Sequence, residues 1–235
     1  MYMEFLTLSI KGAVLAVVFA AAFLFLGFGM GPFFLMAMIV FLVLSAMVTH
    51  IGLAYKKNLG VGQEPRGVWN VLSNGLPPLV MAFLFYLSAV SGNQGLALLS
   101  VIGFLASLAA ITADKFGSEI GVLDGRPKMI FTLKTVRKGT SGGITALGLF
   151  AGFVAAFVMS LLLLLIAGPL GPLIGYYGFG SGKALLVITA SGFAGSLIDS
   201  ALGYYEEKGL GNKFTTNFIC GIAGGIIGML LFAFL

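Results

Sequence analysis

Seven long apolar runs divide this chain, and almost every charged residue falls between them. The runs extend from Leu8 to Leu26, Phe34 to Ala54, Val71 to Val90, Leu96 to Ala113, Gly142 to Ala167, Ala184 to Leu202 and Phe218 to Phe234. A helix needs about 20 predominantly apolar residues to cross about 30 Å of hydrocarbon, so each run is a candidate span. Of the 235 residues, 59% are hydrophobic and 9% charged, with a mean hydropathy of +1.09. A water-soluble domain carries charge on about a quarter of its residues, so that class is excluded. A single cysteine excludes an internal disulfide. The expected fold class is all-α: one transmembrane domain over residues 1–235, a polytopic integral membrane helical bundle of about seven spans. The first run reads as a retained helix, because Glu4 and Lys11 flank it and no small-x-small cleavage site follows.

Counting charges on alternate sides of these spans gives a strong asymmetry. The connections 27–33, 91–95 and 168–182 hold no acid or base, with Lys183 at the edge of the last. Twelve of the thirteen basic residues and all eight acids lie on the other side. Positive charge marks the cytoplasmic side, which puts the N-terminus in and the C-terminus out, with the polar layer facing the cytoplasm of a cell membrane. The formal charge of +5 then serves orientation, and nucleic acid is not an expected partner.

Acids at the ends of spans need a reason, since an Asp at a bilayer centre costs about 2.5 to 3.5 kcal/mol. Asp114 ends the fourth run, Glu119 follows it, and Asp199 sits inside the sixth. Asp114 and Glu119 are about 140° apart on a straight helix, so they meet on one ion only if the helix loosens at Gly117. The bland alternative is a set of solvated interface side chains. His50 and Cys220 each stand alone, which disfavours zinc or iron. An all-oxygen set suits Mg²⁺, which binds through one or two carboxylates plus the phosphates of a substrate.

A separate segment points to phosphate. Arg126, Lys128, Lys134, Arg137 and Lys138 lead into Gly139-Thr140-Ser141-Gly142-Gly143 at the expected start of the fifth span. Glycine-rich backbone at a helix N-terminus offers unpaired N–H groups to an anion, although Thr140 and Ser141 could equally cap the helix. The third and seventh spans open on the same side with Asn70 and Asn74, and with Asn212, Lys213, Thr216 and Asn217. Gly178–Lys183 only superficially resembles a nucleotide loop: it lacks the required spacing and follows no strand. Gly148/Gly152 and Gly221/Gly225 read as close helix packing, and such faces also permit a homo-oligomer. The similar hexapeptides at 103–108 and 192–197 suggest a weak parallel repeat, 96–167 and 184–235.

Several of these segments together resemble an integral-membrane kinase family that includes the plant phytyl-phosphate kinase of the vitamin E pathway and its archaeal and bacterial homologues. The resemblance rests on Arg66 with Asn70 and Asn74-Gly75, and on Thr112-Ala-Asp114 with Ser118-Glu119-Ile-Gly121. It rests further on Arg126-Pro-Lys with Gly139-Thr-Ser-Gly-Gly143, on Gly195-Ser-Leu-Ile-Asp199-Ser with Gly203, and on Asn212 with Asn217-Phe. It covers roughly residues 60 to 220, in order. Lys115, Phe116 and Ser141 depart from the pattern. The resemblance implies phosphoryl transfer from a nucleoside triphosphate, CTP, to an isoprenyl monophosphate such as phytyl or geranylgeranyl phosphate. On that reading Asp114, Glu119 and Asp199 hold Mg²⁺. Arg126, Lys134, Arg137 and the 139–143 loop hold the triphosphate, and Arg66, Asn70, Asn74 and Asn217 hold the acceptor phosphate. The rivals are an anionic-lipid transporter or flippase and a lipid-phosphate cytidylyltransferase.

Orientation can be tested directly with single cysteines in a Cys220→Ala background. A membrane-impermeant maleimide should label position 92 in intact cells and position 125 only after permeabilisation. The reverse pattern would overturn the assignment of sides.

Overall fold

The computed structural model describes residues 8–61, 66–166 and 181–235. Within them the chain forms α1 (Ile10–Leu26), α2 (Gly31–His50), the short α3 (Leu53–Asn58), α4 (Val68–Val90) and α5 (Gln94–Gly121). There follow β1 (Lys128–Met129), β2 (Gly143–Ile144), α6 (Ala146–Ser160), α7 (Ser181–Glu206) and α8 (Lys213–Phe234). Six of these helices are long and apolar enough to cross a membrane, with 3₁₀ turns extending α2 at its start and α6 at its end, and α1 is a shorter apolar helix. The protein is a polytopic helical membrane protein.

Three boundaries differ from the sequence expectation. The fourth span does not stop at Ala113: α5 continues unbroken for two more turns to Gly121. Asp114, Ser118 and Glu119 therefore project from a helix, and Gly117 does not loosen it. The fifth span starts at Ala146 instead of Gly142, because Gly143 and Ile144 pair with Met129 and Lys128 in a small antiparallel ladder. Thr145, not Thr140 or Ser141, is the N-cap, accepting from the Gly148 N–H at 3.0 Å. The end of the fifth run and most of the 168–182 connection lie outside the described residues.

α5 is the axis of the bundle. Every residue from Val101 to Ala113 is buried, and α2, α4, α6, α7 and α8 all pack against it. Lipid is as apolar as leucine, so helices in a membrane hold together by close backbone approach more than by burial of apolar surface. The neighbours of α5 accordingly present glycine. A Cβ at Gly192 of α7 would lie 2.5 Å from that of Ala109, one at Gly224 of α8 2.6 Å from that of Ala110, and one at Gly152 of α6 3.0 Å from the Ala113 carbonyl oxygen. The expected Gly148/Gly152 pair seats α6 on α5, whereas Gly221 and Gly225 seat α8 against Pro77 and Met81 of α4.

The polar ends of the helices meet in one layer. The Ser9 N–H at the head of α1 donates to the Arg66 carbonyl at 3.1 Å, the Arg66 guanidinium donates to the Ser45 carbonyl on α2 at 2.8 Å, and the Ser141 N–H donates to Glu207 at 2.9 Å. Gly142 is left-handed (φ +76°) and packs on Gly203; a Cβ on Gly142 would meet the Ser200 carbonyl oxygen and the Tyr204 nitrogen within 2.7 Å, and one on Gly203 would meet the Gly142 nitrogen at 2.4 Å. Two glycines thus bind the 139–143 loop to the end of α7.

A Cβ at Gly148 would lie 2.7 Å from the Gly117 carbonyl oxygen, so Gly148→Ala should part α5 from α6 at a cost of about 1 to 3 kcal/mol. Thermal unfolding in detergent should show a lowered midpoint. Gly182→Ala, where the added carbon meets no neighbouring element within 4 Å among the described residues, should not lower it.

Candidate functional site

Two cavities open onto the polar layer and share a wall. One, of about 700 Å³, begins among Arg66, Asn70, Asn74 and Asn217 and continues between apolar side chains of α1, α2 and α4. Val17 and Ile39 line it and are also 69% and 50% exposed, so it reaches the lipid-facing surface between α1 and α2. The other, of about 490 Å³, is bounded by the 139–143 loop, Lys56, Lys138, Thr145, Glu119, Asp199 and Ser200. Asp114, Ser118 and Lys213 line both.

At this shared wall Asp114 and Asp199 line the polar cavity together, although 85 residues separate them in the chain. Lys213 Nζ stands 3.3 Å from Asp199 Oδ2. Asn212 caps α8 in a reciprocal pair with Thr215, which leaves Lys213 and Asn217, one turn apart, on the cavity side. Two carboxyl groups face one ammonium in a site where Asp199 is 4% exposed. Asp199 Oδ1 and Asn217 Oδ1 are both buried with no hydrogen-bond partner among the described residues. Buried polar atoms without partners are rare and expensive. This all-oxygen set fits a divalent cation of the Mg²⁺ type.

Glu119 is not part of that set. The unbroken helix turns it away from Asp114, toward α2 and α3, and among the described residues no group of three His, Cys, Asp or Glu side chains comes together. Glu119 instead meets Lys56 Nζ at 2.6 Å and Lys115 Nζ at 2.6 Å. The Thr49 hydroxyl donates to Glu119 Oε1 at 3.2 Å and accepts from Arg66 at 3.0 Å. Burial pulls the Arg66 guanidinium below its ordinary pKa, and the Glu119 carboxylate offsets part of that; the group stays charged. Glu119 therefore ties together three cations, Arg66 and Lys115 at the first cavity and Lys56 at the second.

The loop 139–143 lines the second cavity as expected, but its backbone is largely engaged. The Thr140 N–H donates to the Arg137 carbonyl, the Gly143 N–H to the Thr140 carbonyl and the Ser141 N–H to Glu207. The N-terminus of α6 is also occupied: Asp124 accepts from the Leu147 N–H at 3.2 Å and the Gly125 N–H at 2.6 Å. Those bonds hold the Asp124 carboxyl below the usual carboxylate range. Arg126, Lys134 and Arg137 are exposed and line neither cavity. The cations that line the second cavity are Lys56, Lys138 and Lys213. In the sequence Lys56 reads only as flanking charge. It is 3% exposed because left-handed Gly52 (φ +66°) turns α3 back under α2, where Lys56 also reaches the Val48 and Thr49 carbonyls.

The family model described as integral membrane protein DUF92 matches residues 2–221. The chain belongs to that family. It is 38% identical over 201 residues to an uncharacterized membrane protein of Methanocaldococcus jannaschii, covering 85% of this chain and 76% of that one. It is 30% identical over 180 residues to Protein PGR of Arabidopsis thaliana, covering 71% and 62%. An uncharacterized membrane protein of Synechocystis is 28% identical over 178 residues, covering 72% and 61%. No solved structure matches it.

In this DUF92 protein, removing the carboxylate of Glu119 takes the ion-pair partner from Lys56 and breaks the pair with Lys115. Glu119→Ala should cost about 3 to 5 kcal/mol, the size of breaking one half of a buried ion pair. Exposed Glu207→Ala should cost under about 1 kcal/mol, read from unfolding in the same detergent.

Proposed function

We propose that the protein is a membrane phosphotransferase that moves the terminal phosphoryl group of a nucleoside triphosphate onto an isoprenyl monophosphate, giving the diphosphate. The observation that carries this reading is the shared wall of Asp114, Ser118 and Lys213 between an apolar cavity with a basic, amide-lined mouth and a polar cavity with lysines and a glycine loop. A lipid phosphate with its tail among the helices and a water-borne polyanion would meet there. The preference for CTP rests on the resemblance to the phytyl-phosphate kinase family.

The acceptor phosphate, steadied by Arg66, Asn70 and Asn74, presents an oxygen to the terminal phosphorus. The new P–O bond forms as the bond to the bridging oxygen breaks, and the nucleoside diphosphate leaves. Such transfers need positioning and neutralisation of spread negative charge more than proton transfer. Lys213 stands between the two anions, and Lys56 and Lys138 face the departing chain of phosphates. Asp114, Asp199 and Asn217 would hold the divalent cation, which neutralises phosphate charge when bound. Arg126, Lys134 and Arg137 supply a positive field outside the cavity that attracts the nucleotide. The reading locates this chemistry at the cytoplasmic face of the cell membrane.

Purified protein with Mg²⁺, geranylgeranyl monophosphate and CTP should release CDP and lipid diphosphate in equal amounts. Asp114→Asn and Asp199→Asn should each lower turnover by about 100-fold or more, with folding verified by the thermal midpoint. Pyrophosphate release would instead mark a cytidylyltransferase. An untouched nucleotide, with lipid moved across vesicles, would mark a carrier.

A further inference from the structure

Arg66, Asn70, Asn74 and Asn217 are not the whole polar lining of the first cavity: Ser45 of α2 and Lys115 of α5 line it as well. Helix geometry places Lys115 there. Ile111, Asp114, Lys115 and Ser118, at i, i+3, i+4 and i+7, form one face of α5, and all four line the cavity. Ser45 is tied to the same end by Arg66, whose guanidinium donates to the Ser45 carbonyl at 2.8 Å.

Two observations at this end point to an anion. The first is charge: among the described residues the cavity is lined by three cations, Arg66, Lys115 and Lys213, and by one acid, Asp114. Arg66 and Lys115 are 7% and 15% exposed, so water and salt screen them little. They share one carboxylate oxygen. Lys115 Nζ meets Glu119 Oε1 at 2.6 Å, and Arg66 reaches it through the Thr49 hydroxyl, in steps of 3.0 and 3.2 Å. Lys56 takes Oε2 at 2.6 Å. One carboxylate divided among three cations leaves the two at this cavity with donors for a further anion.

The second observation is an orphaned hydroxyl. Other serines of the spans return theirs to a carbonyl three or four residues back, as Ser88, Ser100 and Ser160 do. Ser45 Oγ is buried and has no hydrogen-bond partner among the described residues. Ser107 also lacks one, but it lines neither cavity. A buried hydroxyl without a partner is rare and costly, and at Ser45 a bound oxygen would remove the cost.

We propose that Lys115 and Ser45 join Arg66 in binding the phosphate of a lipid phosphomonoester, two as charged donors and the serine as a neutral one. This rests on the lipid-monophosphate reading of the first cavity. A phosphomonoester carries a charge of about −1.5 to −2 at pH 7 and three terminal oxygens, and the three donors approach from α2, from the segment before α4 and from α5. A prenyl alcohol has neither the charge nor the oxygens. Because the cavity opens to the lipid-facing surface beside Val17 and Ile39, selection falls on the head of the lipid.

The test reads binding of geranylgeranyl monophosphate and geranylgeraniol to the purified protein by native mass spectrometry, without nucleotide and with inorganic phosphate as competitor. Wild type should hold the monophosphate at least about tenfold more tightly than the alcohol, and millimolar inorganic phosphate should not displace it. Lys115→Gln should weaken monophosphate binding about tenfold or more, and Lys115→Arg should restore most of it. Ser45→Ala should weaken it about threefold to tenfold, with alcohol binding unchanged in all three. Exposed Lys57→Gln, at neither cavity, should change nothing. Ser45→Ala removes an oxygen that bonds nothing, so its thermal midpoint should not fall, which keeps the test decisive if Lys115→Gln does not fold. In turnover, Lys115→Gln and Ser45→Ala should raise KM for the lipid and leave that for the nucleotide. Equal loss for phosphate and alcohol, or unchanged monophosphate binding in these variants, overturns the inference even in a protein that turns nucleotide over. Displacement by millimolar inorganic phosphate marks a site for free anions and overturns it too. Selective loss in a protein with no turnover supports the inference and removes the kinase reading instead.

Discussion

The close approach of α5 to the helices around it is the contact on which the rest of the molecule depends. A helix that touches almost no lipid must find partners on all sides, and in a bilayer that means small residues meeting small residues. Ala106, Ala109, Ala110 and Ala113 on α5 meet glycines of α6, α7 and α8 at distances that leave no space for a further carbon. This register places the last two turns of α5, with Asp114, Ser118 and Glu119, where the ends of α2 and α7 and the start of α8 converge.

Charge is then sorted by helix face. Asp114 looks toward α7 and α8, where it meets Asp199 and Lys213. Glu119, turned by five residues, looks toward α2 and α3, where Lys56, Lys115 and Arg66 leave a surplus of positive charge. Buried charges persist only when paired and hydrogen-bonded. The two unequal clusters, side by side, form a layer suited to a cation on one side and anions on the other. The glycine loop closes this layer by fastening to the end of α7, with much of its own backbone engaged, so anion contacts pass to lysine side chains.

Much of this was legible beforehand. Length and hydropathy revealed the spans, because the bilayer imposes a minimum run of apolar residues. Asp114 and Asp199 stood out because acids are costly near lipid, and Arg66, Asn70, Asn74 and Asn217 because polar groups at helix starts on one side invite a common ligand. All of these line the two cavities. Glu119 was misplaced because its partner set depended on whether the helix breaks at Gly117, and local composition allows either. Arg126, Lys134 and Arg137 looked no different from Lys56 and Lys138, since positive-inside charge and anion-binding charge are the same residues in sequence.

The sequence by itself determined that this chain lives in a membrane, where its apolar runs lie, and that its ionisable groups gather in one set of connections. Those are one-dimensional properties, set by transfer of each segment between water and hydrocarbon. Only the tertiary structure decided which acid faces which base, that Lys56 is buried and Arg126 is not, and that α1, α2 and α4 line a cavity begun at Arg66. Such outcomes depend on rotation and depth of one helix against another, and a few glycines at the contacts of α5 set both.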